Sequence, residues 1–172
     1  MSVSVLNMHD VYVGQEKILM AVDCIVFGFD SKELKLLLFR RKVEPLVGEW
    51  SLIGSFIKKE KSLEDSAQQV LDESTGLENV FFEELGVFSG VNRDPGDRVI
   101  SVAYFSLIRL DEMNIDSVEE YDAHWFGLHE IPELILDHEQ MVQLAIERLK
   151  EKVRRRPVGF ELLPEKLSLI HI

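Results

Sequence analysis

At 172 residues the chain is long enough to bury one substantial core and short for two, so one main domain with an appendage is expected. Apolar residues make up 46% of it, yet no apolar run approaches the roughly 20 residues that span a bilayer, and Met1 to Val13, with His9 and Asp10, lacks the basic-then-apolar layout of a secretory signal. No membrane partner is therefore expected and the cytoplasm is the default address. A net charge of −12 argues against nucleic-acid binding by this chain alone, which would need a basic footprint.

Lys17 to Phe29, rich in Val and Ile, reads as a buried strand, and Asp30-Ser31-Lys32-Glu33 turns it into a second one, Leu34 to Arg40. Cys24 lies within the first run. A lone cysteine forms no intrachain disulfide, and among apolar neighbours it reads as a small buried hydrophobe rather than a nucleophile. A charged loop with Pro45 and Gly48 then delivers the chain to a short apolar strand, Trp50 to Phe56. The helix that follows carries its own start and stop signals. Ser62 can cap it with Asp65 three residues on, Glu64 and Asp65 suit the positive first turn, Leu63, Ala67, Val70 and Leu71 form an apolar stripe, and Thr75-Gly76 ends it.

Val80 to Phe88, Val99 to Leu110 and Tyr121 to Leu128 read as further strands, the first two separated by the polar loop Asn92 to Arg98. Asp137 to Arg155 places Met141, Val142, Leu144, Ala145, Leu149 and Val153 at helical spacing, an amphipathic helix that should stop before Pro157. Strands flanking two helices imply an α/β fold, a mixed sheet with a helix on each face.

Trp50 to Leu77 resembles the Nudix box, the strand-loop-helix signature of enzymes that cleave nucleoside diphosphates linked to another moiety. Aligned without gaps, Trp50, Leu52, Gly54, Phe56, Ala67, Leu71, Thr75, Gly76 and Leu77 all have the expected types. The resemblance implies a Nudix fold, an α/β/α sandwich around a mixed sheet. It also implies a reaction run by carboxylates gathered on one or more divalent ions, Mg²⁺ or Mn²⁺, which neutralise phosphate charge and activate water. In this register, however, the second Gly is Ser55, the loop glutamate is Lys61, the Arg is Gln69, the next glutamate is Val70, and the final acidic pair is Glu73-Ser74. Only Glu73 remains as a metal ligand, so neither a catalytic set nor a bound metal is expected. A register shifted by one residue keeps Glu60, Asp72 and Glu73 as the acids of a divergent hydrolase, at the cost of an extra residue before Gly76.

The stretch Val91 to Tyr104 looks like the Arg-Asp-Pro loop and following strand of ADP-ribose pyrophosphatases and their relatives. Arg93 and Asp94 are open to two readings, a loop-stiffening ion pair or ligand contacts, since a guanidinium fork suits phosphate or carboxylate. Arg98, the aromatic Tyr104, Arg40 at the end of a strand facing the box, and Asp23 complete the candidate ligand residues. Asp23, a carboxylate in an apolar strand, must find partners and is also readable as hydrogen-bonded structure. His138 reads as a surface residue at a helix start.

The degraded box, this loop and the tail together resemble the Nudix-related transcriptional regulators, in which a Nudix effector domain binds ADP-ribose or, in one subgroup, a pentose such as arabinose. A winged helix-turn-helix that binds DNA as a dimer follows it. Arg154 to Lys166 looks like the junction to that second module, although a frayed extension is the plainer alternative. Residues 1–150 are thus expected to form the Nudix-like domain and 151–172 the start of an uncompleted winged-helix part. The resemblance implies a homodimeric, ligand-sensing domain whose effector is ADP-ribose or a sugar, touching DNA only through the missing part. A divergent hydrolase is the alternative.

Overall fold

Alternation along one strand lays out the molecule. The computed structural model describes residues 12–110 and 115–155. In β1 (Leu19–Phe29), Ile25, Phe27 and Phe29 face one hydrophobic core while Val22, Cys24 and Val26 face another, as the period-two geometry of a strand requires. The first core is covered by α2 (His138–Arg155) through Met141, Val142, Ala145 and Ile146. The second is covered by α1 (Leu63–Thr75) through Ala67, Val70 and Leu71. A helix on each face of one sheet follows directly, and the α/β/α layering expected from the sequence is the one observed.

The sheet holds seven strands among the described residues. With β2 (Leu34–Arg40), β3 (Trp50–Ser51), β4 (Ile53–Phe56), β5 (Glu83–Phe88), β6 (Val99–Arg109) and β7 (Ala123–Gly127), its main path runs β3-β2-β1-β6-β5. β1 pairs parallel with β6 and the other pairings are antiparallel, so the sheet is mixed. The other edge of β1 is shared: Ala21 to Cys24 pair with β4, and Phe27 to Phe29 pair with β2. The sheet forks there, and the fork opens the space in which a ligand site can sit.

Three local expectations need correction. Trp50 to Phe56 is not one strand, because the Leu52 N–H leaves the ladder to donate to His138 Nδ1 at 3.1 Å, dividing β3 from β4. Leu144 is 37% exposed, whereas Ile146 takes its place against the sheet. The first strand starts at Leu19 rather than Lys17, leaving Ile18 outside it. The expected boundary at residue 150 falls within α2, which continues to Arg155. Of the expected junction, Arg154 to Lys166, the first two residues end α2, and the rest, like the N-terminal segment before Tyr12, lies outside the described residues. Among the described residues no helix is long and apolar enough to cross a membrane.

Candidate ligand-binding cleft

Beside the fork lies a cleft of about 290 Å³, walled by β1, β4, the loop after β2, the β5–β6 loop and the start of α2. Its floor is polar. Asp23 comes from β1 on the α2 face, and its side chain is only 10% exposed. It sits directly over Gly54 of β4. A Cβ there would collide with Asp23 Oδ1 and approach Val22 O to 2.7 Å, so only glycine lets the two strands pair with the carboxylate between them.

Arg93 reaches the same floor from the β5–β6 loop. Its Nε and Nη2 donate to Asp137 Oδ2 and Oδ1 at 2.8 and 2.6 Å, a bidentate fork, and its Nη1 donates to Ser101 Oγ at 3.0 Å. Burial opposes the guanidinium charge, but the bonds and field of Asp137, helped by Asp23 and Asp94, outweigh it and raise the Arg93 pKa further. The loop-stiffening reading is thus corrected in its partner: Arg93 is bound to Asp137 of the α2 head rather than to Asp94. Asp94 accepts the Gly96 N–H at 2.7 Å, shaping the Pro95-Gly96 turn, and lines the cleft beside Arg93.

His138 was expected on the surface and is instead 3% exposed. Ile135 N–H donates to Trp50 O at 3.1 Å, and Leu136 adopts a left-handed φ of 53°, costly for a residue with a Cβ, so that Asp137 and His138 turn inward at the head of α2. Burial lowers the His138 pKa, with Arg93 and Arg41 acting in the same direction and Asp23 and Asp137 against it. The ring is accordingly neutral at pH 7. Since Nδ1 accepts from Leu52, the proton sits on Nε2, 3.6 Å from Asp23 Oδ1.

The box helix tells a second story. Ser62 caps it, Asp65 N–H donating to Ser62 Oγ at 3.1 Å, and Gly76 closes it at φ 70°. Along it, Lys61 Nζ donates to Gln69 Oε1, and Gln69 Nε2 donates to Glu73 Oε1 at 2.5 Å. Val70 is buried in the core beneath. Glu60, Asp72 and Glu73 are all exposed, and among the described residues no three His, Cys, Asp or Glu side chains gather closely enough to hold a metal ion.

The family model described as "NUDIX domain" matches residues 17–145. The chain belongs to the NUDIX domain family. The ADPR responsive transcriptional repressor NtrR of Acinetobacter baylyi is 28% identical over 158 residues, 90% of this chain and 63% of the repressor, so the chain spans less than two thirds of that relative. An ADP-ribose pyrophosphatase of Methanocaldococcus jannaschii is 32% identical over 69% of this chain and 69% of its own length. Among solved structures, the NUDIX domain of Shewanella oneidensis NrtR complexed with ADP ribose superposes with a TM-score of 0.69 at 30% identity, covering 78% of this chain and 90% of that one.

Within this NUDIX domain the residues expected to bind ligand divide into two groups. Asp23, Arg93 and Asp94 line the cleft together. The other three are placed elsewhere. Arg40 stacks 4.1 Å above the Trp50 ring and donates to Gly48 O at 2.7 Å, and Arg98 donates to Gly90 O at 3.0 Å, each holding its own loop. Tyr104 lies on the α1 face, packed edge-on to Phe82, with its pKa pushed up to about 12 by burial and by Glu64 and Glu84. One-residue parity decides this, since Ser101 and Ala103 face the α2 side and Tyr104 cannot. Sequence reasoning missed Asp137, Ser101, Ser51 and Arg41, of which only Asp137, before a helix start, carried a visible signal.

Proposed function

We propose that this NUDIX domain is a ligand sensor, the effector domain of a transcriptional regulator, and that it binds ADP-ribose or a sugar such as a pentose without turning it over appreciably. The observation that carries this reading is the Lys61–Gln69–Glu73 chain. Lys61 stands where the family has its loop glutamate and is bonded to Gln69, which in turn donates to Glu73, the one acid left, while Val70, in place of the next glutamate, is packed into the core. A hard divalent ion such as Mg²⁺ or Mn²⁺ wants several oxygens, and these residues do not fit it. The cleft beside the box remains, with a polar floor and with Arg41 and Lys42 among its lining residues. The likeness to an ADP-ribose-responsive repressor and to a domain complexed with ADP ribose supports the choice of ligand. A homodimer, with DNA contact through a winged-helix part following α2, completes the proposal.

Thermal shift and calorimetry with ADP-ribose, arabinose and ribose test it: a ligand that binds only the native state raises the melting temperature, with a stabilisation that grows as the logarithm of its concentration over Kd. A second reading, a divergent hydrolase using Glu60, Asp72 and Glu73 with Mg²⁺ or Mn²⁺, draws support from the 32% identical pyrophosphatase. Metal-dependent turnover of ADP-ribose that vanishes in Glu73→Gln would establish that reading and sink the sensor.

A further inference from the structure

The Asp23 carboxylate is nine-tenths buried, lines the cleft, and has no hydrogen-bond partner among the described residues. The basic side chains facing it are His138, with Nε2 3.6 Å from Oδ1, and Arg93, with Nη2 4.0 Å from Oδ2. Those separations are too long for direct hydrogen bonds. They are short enough that one oxygen can lie about 2.8 Å from both members of each pair. Two such positions flank one carboxylate, and each offers an incoming oxygen an acceptor on one side and a donor on the other.

A hydroxyl group is the chemistry that uses both, because it donates one hydrogen and accepts through its lone pairs. The donors are set for it. The neutral His138 ring presents an Nε2 hydrogen, since Nδ1 is taken by Leu52, and Arg93 Nη2 retains a second hydrogen after its bond to Asp137. An anion is disfavoured directly against Asp23: the three acids Asp23, Asp94 and Asp137 face the guanidiniums of Arg93 and Arg41, and Arg93 is already engaged by Asp137. A phosphate would be repelled, whereas a neutral polyol is not.

We infer that Asp23, with His138 and Arg93 as donors, anchors a vicinal diol on the sugar ring of the ligand, one hydroxyl on each carboxylate oxygen. This rests on the sensor reading only in requiring that the cleft takes a ligand. A free pentose and the terminal ribose of a nucleotide sugar carry the same diol. For the latter, the phosphates would lie toward Arg41 and Lys42, away from the floor.

Calorimetry on the full 172-residue chain with ribose, arabinose, ADP-ribose and inorganic pyrophosphate tests the assignment. The expected result is binding of at least one sugar-bearing ligand more tightly than pyrophosphate, and a tenfold or greater loss of the sugar-bearing ligand's affinity, but not of any pyrophosphate binding, in Asp23→Asn. Binding of a pentose identifies a free sugar as the source, and binding of ADP-ribose alone identifies the nucleotide sugar. Should Asp23→Asn fold poorly, the imidazole ¹⁵N signals of His138 in the wild-type protein give an independent readout and must shift on ligand addition.

The inference is overturned if no sugar-bearing ligand binds, if pyrophosphate competes for the floor, or if Asp23→Asn keeps wild-type affinity while ligand binding itself persists. That last outcome leaves the sensor reading standing. Conversely, metal-dependent turnover would remove the sensor reading, and a tenfold rise in KM for Asp23→Asn with kcat retained would still support the diol anchor.

Discussion

His138 places a titratable group where water is scarce, and stability must therefore depend on pH. Burial holds its pKa below the ordinary 6.5, so between that value and the lower native one the unfolded chain takes up a proton that the folded chain refuses. Stability from this group is complete above pH 6.5 and drains away as pH falls, by at most about 1.4 kcal/mol per pH unit. Urea unfolding at intervals from pH 7.5 to 5 should trace that slope, and His138→Gln should flatten it. A slope unchanged in the variant would mean that another group titrates. Gly54 makes a neighbouring demand: Gly54→Ala drives a methyl into the Asp23 carboxylate and toward Val22 O, costing about 1–3 kcal/mol as overpacked sites do. Its melting temperature checks this. The glycine was legible in sequence as part of a motif, but its reason was not, since that depends on which carboxylate crosses it.

Elements whose signals are local were readable, and elements shaped by distant partners were not. α1 begins and ends where Ser62 and Gly76 announce it, because a cap is made within four residues of the helix end. Ser62→Ala should accordingly cost about 1 kcal/mol, visible as a lowered midpoint with unchanged m-value in denaturant unfolding. A loss below a few tenths would show that Asp65 or water replaces the cap. The break between β3 and β4, by contrast, is made by His138, 86 residues from Leu52, and no window on either segment contains it. The same applies to the β5–β6 loop. Its Arg and Asp were visible as candidates, but the partner of Arg93 lies 44 residues away at the head of α2.

For the whole molecule, periodicity carried the sandwich, since two helices and an alternating central strand leave few ways to bury both apolar faces. The cleft was only partly legible because it is assembled at the margin of that core from five separate segments. The Arg93–Asp137 pair joins two of them, tying the β5–β6 loop to α2, with Arg93 5% and Asp137 16% exposed at the side chain. Its removal tests whether the cleft is held by the fold or by this bond. Arg93→Met leaves Asp137 and Asp23 without their shared cation, and breaking one side of such a buried pair costs about 3 kcal/mol. Asp137→Asn alone strands the guanidinium in the same way. In the double variant the Arg93–Asp137 pair leaves no unmatched member and only Asp23 lacks its cation, so the two losses should overlap, and the combined cost should fall short of their sum by more than 1 kcal/mol in urea unfolding. Strict additivity would mean that loop and helix are placed independently, each by its own packing on the sheet.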